Sequence, residues 1–271
     1  MSDELLTVRD FFRYAVTEFR RAELHFGHGG ADAVDEAAFI VLEALSLPIG
    51  DINPWLEARL VADEKKRLSE LIASRVATRR PAAYLLNRAY IQGEGFYVDE
   101  RTIVPRSFIG ELLAAGLPLP FAEDPEGVAS VLDLCTGSGC LAVLAARAFA
   151  NADIHATDIS ADALEVAERN VADYGLEDRI TLHCGDLFAP LGKKRFDLII
   201  SNPPYVDAEA MAELPPEYAA EPRLALAGGE DGLDIVRRIV ADADRRLTPQ
   251  GGLLCEIGRG REILEAEYPG S

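Results

Sequence analysis

Apolar residues in the first eighty positions recur at helical spacing. Phe11, Phe12, Ala15, Val16 and Phe19 follow Thr7, and Asp10 stands three residues after that threonine, so the spacing predicts a helix opened by a capping box. A Gly-rich break, Gly27-His28-Gly29-Gly30, ends it. A second helix is expected from about Asp32 to Leu45, closed by Pro48, and a third from Ala62 to Thr78 with Leu68, Leu71, Ile72 and Val76 on one face. The pattern then shortens. Arg88-Ala-Tyr-Ile, Gly93-Glu-Gly and Phe96-Tyr-Val read as a hairpin turning at the glycines, and a short helix through Leu113 follows. Prolines 118, 120 and 125 among acidic residues mark 117–128 as linker-like.

Beyond the linker, strand and helix periods alternate. Strands are expected at Val128–Leu134, Ile154–Thr157, Ile180–Cys184, Phe196–Ser201 and Gly252–Ile257, and helices at Leu141–Phe149, Ala161–Tyr174 and Asp234–Leu247. Repeated β-α units with apolar strands predict an α/β fold, a parallel sheet covered on both faces. The expected organisation is a helical domain over 1–88, a hairpin and linker over 89–127, and an α/β domain over 128–271. No internal repeat is visible.

Charge narrows the class of partner. The 271 residues carry 27 Lys and Arg against 46 Asp and Glu, a net charge of −19. Residues 1–110 hold 14 basic and 17 acidic side chains, and 111–271 hold 13 and 29, so the surplus sits in the α/β part. Such a chain has no overall field to hold nucleic acid, whose phosphates are bound by Lys and Arg. Arg75, Arg79, Arg80 and Arg88 form one local basic cluster, readable as a solvated helix face or as an RNA contact. The longest apolar run, Cys140 to Ala146, falls far short of the ~20 residues that cross a bilayer. The acidic start gives no basic region of a secretory leader, and the four cysteines show no CxxC pair, so a cytoplasmic protein with reduced thiols is expected. No histidine constellation suggests a metal site, and His28, between glycines, reads as a loop residue.

Candidate chemistry gathers at strand ends. Val131-Leu-Asp133-Leu-Cys-Thr136-Gly137-Ser138-Gly139 closes the first α/β strand with glycines that let a ligand approach the backbone at a helix N-terminus. Alone, this fits any nucleotide binder, and Ala142 in the third glycine position leaves NAD open. Asp158, 19 residues after Gly139, ends the second strand, placed to accept ribose hydroxyls or to cap the next helix, a role Ser160 also suits. Asp186 ends the third, as an adenine acceptor or a turn former. The fourth ends in Asn202-Pro203-Pro204-Tyr205. Two prolines stiffen that loop and remove two donors, so the Asn202 side-chain oxygen and the Pro203 carbonyl could take both hydrogens of a planar –NH2 group while Tyr205 stacks on it. An ordinary Pro-rich turn is the alternative.

In this order, Asp-x-Cys-Thr-Gly-Ser-Gly, Asp158, Gly185-Asp186 and Asn-Pro-Pro-Tyr resemble the class I S-adenosylmethionine-dependent methyltransferases, in the form found in the adenine-N(6) and glutamine-N(5) branches. Pro81-Ala-Ala-Tyr-Leu, Phe96-Tyr-Val-Asp-Glu, Val104-Pro-Arg-Ser-Phe-Ile-Gly-Glu111 and Glu221-Pro-Arg-Leu-Ala-Leu-Ala-Gly-Gly-Glu-Asp-Gly-Leu resemble the protein-glutamine methyltransferases. Arg106-Ser-Phe-Ile-Gly-Glu, Phe26-Gly-His-Gly and Asp35-Glu-Ala favour the branch acting on the third large-subunit ribosomal protein over the release-factor branch. The resemblance covers about Thr7 to Tyr268.

It implies a Rossmann-like catalytic domain and the cofactor S-adenosyl-L-methionine, held by Asp133, Thr136, Gly137, Ser138, Gly139, Asp158, Asp186, Leu187 and Asn202. It implies a catalytic loop of Asn202, Pro203, Pro204 and Tyr205, and a basic ribosomal protein as partner, free or within an assembling subunit. No membrane partner is expected. The acidity and the lack of a basic target domain disfavour the adenine-methylating alternative, and the intact Asp158 and Asn202 disfavour a non-catalytic binding protein. Members of the class usually add a C-terminal β-hairpin after the fifth strand, and the ending Pro269-Gly-Ser leaves no room for one, so a sheet without that closing pair is expected.

Overall fold

The computed structural model of the protein describes residues 4–116 and 127–269. Its chain forms two compact units, Met1–Ala89 with Pro215–Ala220, and Tyr90–Leu214 with Glu221–Ser271.

The first unit is built on four helices: α1 (Val8–Arg21), α2 (Ala33–Ala44), α3 (Ala62–Thr78) and α4 (Ala82–Leu86). The capping box opens α1: Thr7 Oγ1 accepts from Asp10 N, and the Asp10 carboxylate accepts from Thr7 N at 2.9 Å. Asp32 caps α2 by accepting from the amides of Val34 and Asp35. The apolar faces then meet, with Phe11, Phe19, Ile40, Leu68 and Ile72 fully buried in one core. Helix α4 escapes a reading by periodicity because five residues hold little more than one turn.

The basic cluster turns inward. Arg75 is fully buried and donates to Glu36 Oε1 at 2.5 Å, to the His25 carbonyl and to the Arg79 carbonyl. Burial pushes the Glu36 carboxyl above its usual range, against the pull of Arg75. Arg79 donates to the carbonyls of Ala22 and Glu23 and pairs with Glu217. Neither arginine belongs to a solvated face or an RNA-facing one; both are cross-braces inside the unit. Glu217 arrives on residues 215–220, where it also accepts from His25 N, and the Tyr218 ring lies 4.3 Å from that of His28, which is buried. A domain running unbroken from residue 128 would include residues 215–220. These six residues pack with the helices instead, because Glu217 finds its charge partner there.

The second unit begins within a hairpin of two paired strands, β1 (Ala89–Ile91) and β2 (Glu94–Phe96). The turn is Gln92-Gly93, with φ of +52° and +79°, so Glu94 and Gly95 belong to the strand rather than to the bend expected there. Ser107 caps α5 (Phe108–Ala115). Most of the expected linker, residues 117–126, lies outside the described residues.

Five parallel strands follow: β3 (Ser130–Leu134), β4 (Asp153–Asp158), β5 (Ile180–Cys184), β6 (Phe196–Ser201) and β7 (Leu247–Cys255), in the order β5-β4-β3-β6-β7. Alternation sorts their side chains. Val131, Ile154, Ala156, Leu198 and Ile200 pack with helix α6 (Cys140–Ala148) and with Val171 of α7 (Ala161–Asp173), while Leu132, Leu134, Phe196 and Ile199 pack with Ile239 of α9 (Asp234–Arg246). Both faces are covered. Two short helices without a clear apolar period, α8 (Ala208–Glu213) and α10 (Arg261–Glu267), complete the unit. Among the described residues the sheet has five strands and no helix is long and apolar enough to cross a membrane; Gly270 and Ser271 lie outside them.

Chain order explains where a ligand can go. From β3 the chain runs outward through β4 to β5, then returns to β6 on the other side of β3. The loops after β3 and β6 leave the sheet in opposite directions, opening a crevice at the carboxyl ends of the strands.

Candidate active site

Leu134 pairs with Ser201, and Ser201 Oγ donates to the Leu134 carbonyl at 2.9 Å. This register brings the glycine-containing loop after β3 beside the Asn-Pro-Pro-Tyr loop after β6. One cavity opens there, lined by Cys135 and Gly137 after β3, Asp158–Ser160 after β4, Gly185–Leu187 after β5 and Asn202 with Pro204 after β6.

The loop after β3 is tightly held. Cys135 is a non-glycine residue at φ +59°, a strained conformation of the kind that gathers at functional loops. Gly139 has φ +77°, and a Cβ there would come 3.1 Å from that of Ala167, so α6 and α7 approach closely because the residue is glycine. Asp158 braces the turn from the next strand: Oδ2 accepts from Gly137 N and Oδ1 from Ser160 N, each at 2.9 Å. Ser160 itself caps α7 through Ala163 N, so the helix cap does not consume Asp158. A carboxylate has about four lone-pair positions, so these backbone bonds do not exhaust its acceptor capacity. Burial pushes the Asp158 carboxyl above its usual range, against hydrogen bonds from the amides of Ser160, Gly137 and Ile159.

Asp133 is fully buried. Thr136 Oγ1 donates to its Oδ2, and Oδ1 has no hydrogen-bond partner among the described residues. Burial pushes this carboxyl up to about 7. Asp186, half-exposed, accepts from Arg238 Nη2 at 2.6 Å through Oδ2, and Leu187 beside it adopts φ +46°.

Asn202 Nδ2 donates to the Arg106 carbonyl at 3.0 Å, which leaves Oδ1 as the acceptor of this side chain. The backbone beyond it is clasped by glycine-containing segments. Val206 N donates to the Leu226 carbonyl and Gly228 N to the Val206 carbonyl, and the Tyr205 ring runs along Gly258. A Cβ on Gly232, where φ is +79°, would stand 2.4 Å from the main-chain oxygen of Tyr205.

These contacts give the sequence-selected residues unequal positions. Gly137, Asp158, Asp186, Leu187, Asn202 and Pro204 line this cavity; Asp133, Thr136, Ser138, Gly139, Pro203 and Tyr205 stand outside its lining.

A family model described as the methyltransferase small domain matches residues 112–215. The ribosomal protein uL3 glutamine methyltransferase of Bradyrhizobium diazoefficiens is 58% identical over 271 residues, covering 98% of this chain and 85% of its own. The enzyme of the same name from Burkholderia pseudomallei is 55% identical, covering 97% of this chain and 88% of its own. The chain belongs to the ribosomal protein uL3 glutamine methyltransferase family. A crystal structure of a ribosomal protein L11 methylase from Lactobacillus delbrueckii aligns with 60% of the chain and 69% of its own at 25% identity, with a TM-score of 0.40.

For a member of this family the cavity holds several residues that motif reading passed over. Arg101, Thr102 and Ile103 contribute one wall, and Pro222, Leu224 and Ala225 another. The first three precede Val104-Pro105-Arg106, and the others follow Glu221, so the signal lay in the two family-like segments themselves. Nothing in a linear pattern says that segments 115 residues apart meet. Leu224 and Ile159, both more than half exposed, give the mouth of the cavity an apolar rim.

Proposed function

We propose that this protein transfers a methyl group from S-adenosyl-L-methionine to the side-chain amide nitrogen of a glutamine in ribosomal protein uL3. The observation that carries the reading is the meeting, in one cavity, of the Asn202 acceptor and the Asp158–Gly137 turn.

The cofactor fits on the donor and acceptor set. Asp158 retains acceptor capacity for a ribose hydroxyl, Ile159, Ala163 and Leu187 offer apolar contact to a flat base, and Asp186 keeps Oδ1 beyond its bond to Arg238. Bound among these groups, S-adenosyl-L-methionine supplies a methyl group activated by a sulfonium.

The remaining work falls to the loop. An amide nitrogen is a weak nucleophile because its lone pair is delocalised, so orientation dominates the barrier. Asn202 Oδ1 and the Pro203 carbonyl accept the two hydrogens of the glutamine –NH2 and hold its nitrogen toward the cavity. Both are oxygen dipoles and favour positive charge developing on that nitrogen. The proton is then lost readily, with no dedicated base required. The net −19 charge speeds encounter with a basic ribosomal protein more than it tightens the complex. Such a substrate makes the cytoplasm the working compartment.

The test is label transfer. Purified protein with methyl-labelled S-adenosyl-L-methionine should label uL3 on a glutamine and leave a release factor and DNA unlabelled. Asn202→Ala should lower the rate by ~10²–10³ with cofactor affinity nearly unchanged. Labelling of the release factor or DNA in place of uL3, or full activity in Asn202→Ala, would reject the reading.

A further inference from the structure

The orientation of Asn202 rests on residues that do not line the cavity. Its Nδ2 is committed to the main-chain carbonyl of Arg106 at 3.0 Å. That residue is itself clamped: Arg106 Nη1 and Nη2 donate to Glu221 Oε1 and Oε2 at 2.7 Å each, a bidentate fork. Glu221 Oε1 also accepts from Val104 N at 2.9 Å, so one carboxylate holds the backbone on one side of Arg106 and its side chain together. On the other side, Ser107 Oγ donates to Glu256, whose Oε1 also accepts from Ile109 N at 3.1 Å. Glu256 N in turn donates to the Ser201 carbonyl, one residue before Asn202. The Glu221 side chain is 0% exposed and the Arg106 side chain 29%.

A buried ion pair is a poor device for stability alone, since desolvation offsets most of its attraction. What this pair fixes is the position of a single carbonyl. We propose that Arg106 and Glu221 are positioning residues for methyl transfer: their ion pair places the Arg106 carbonyl so that it takes the Asn202 amide nitrogen and turns Asn202 Oδ1 toward the substrate. The loop thereby presents an acceptor and selects a donor, the –NH2 of a primary amide. This rests on the reading of Asn202 in the proposed function.

The experiment combines single-turnover rates on uL3, cofactor dissociation constants by calorimetry, and melting temperatures. Arg106→Lys keeps the charge and loses the fork, and is expected to lower the transfer rate about 10- to 100-fold with cofactor affinity within about threefold of the parent. In an Asn202→Ala background the same substitution should cost less than about twofold, because the group it acts through is gone. Asn202→Asp should be as slow as Asn202→Ala at pH 8, since a carboxylate has no N–H for the Arg106 carbonyl. Multiplicative losses in the double variant, an active Asn202→Asp, or a silent Arg106→Lys would each overturn the proposal. So would a loss of rate matched by losses of cofactor affinity and melting temperature, the mark of a merely structural pair. If Arg106→Lys fails to fold, Glu221→Gln, which keeps an acceptor for Val104 N, must show the same pattern or the proposal falls. Full activity in Asn202→Ala would instead reject the underlying reading of the loop, separately from the role of the pair.

Discussion

Asp133 offers the sharpest thermodynamic test of the site. Its carboxyl is fully buried at the end of β3, where Thr136 Oγ1 donates to it. Burial disfavours the charged form, and the carboxyl titrates near 7 instead of the ordinary 3.8. The unfolded chain therefore releases this proton about three pH units earlier than the native state. Below pH 4 both states hold it. Between about 4 and 7 the native state binds more protons, so stability falls as pH rises, by about 1.4 kcal/mol per unit and about 4 kcal/mol in all. Asp133→Asn keeps the shape and the Thr136 acceptor but cannot ionise. The stability of the parent relative to Asp133→Asn should thus drop by about 2 kcal/mol between pH 5.5 and 7 and then level off. Urea unfolding followed by circular dichroism at several pH values measures it. A difference that stays constant from pH 5.5 to 8 would refute the assignment of a raised carboxyl at this position.

Three further outcomes are expected. Asp158→Ala should weaken S-adenosyl-L-methionine binding at least about tenfold, a value typical of losing a charged hydrogen-bond acceptor. Because burial raises the Asp158 carboxyl, affinity in the parent should decline with falling pH earlier than for an ordinary aspartate, a trend calorimetry can follow. Gly232→Ala places a methyl group 2.4 Å from the main-chain oxygen of Tyr205 at a φ of +79°, so both melting temperature and turnover should fall; normal values for both would show that the clasp on the loop is dispensable. Arg75→Met strands the Glu36 carboxylate, 3% exposed, and should cost about 3–5 kcal/mol in urea unfolding of the helical unit, with part recovered in Glu36→Gln/Arg75→Met.

Local features were legible wherever one residue type has one physical use. Thr7 with Asp10 announced the start of α1, Asp32 that of α2, and the strand-like runs at 180–184 and 196–201 marked β5 and β6 to the residue. Where several uses compete, sequence misled or stayed silent. Four nearby arginines read as a face turned to solvent or RNA, yet Arg75 and Arg79 turn inward because Glu36 and Glu217 wait there. The glycines at 93 and 95 both suit a turn, and only pairing with β1 settled which one makes it.

By itself the sequence determined the α/β class, the strand ends that carry Asp158, Asp186 and Asn202, and an acidic character suited to a basic protein partner. Periodicity and side-chain chemistry are local properties and survive in a linear string. Tertiary structure decided the strand order that sets β6 against β3, and with it the meeting of the two loops in one cavity. It also decided that Arg106, 96 residues before Asn202 and 115 before Glu221, stands between them. Such contacts join groups far apart in the chain, and only the folded sheet brings them within hydrogen-bond reach.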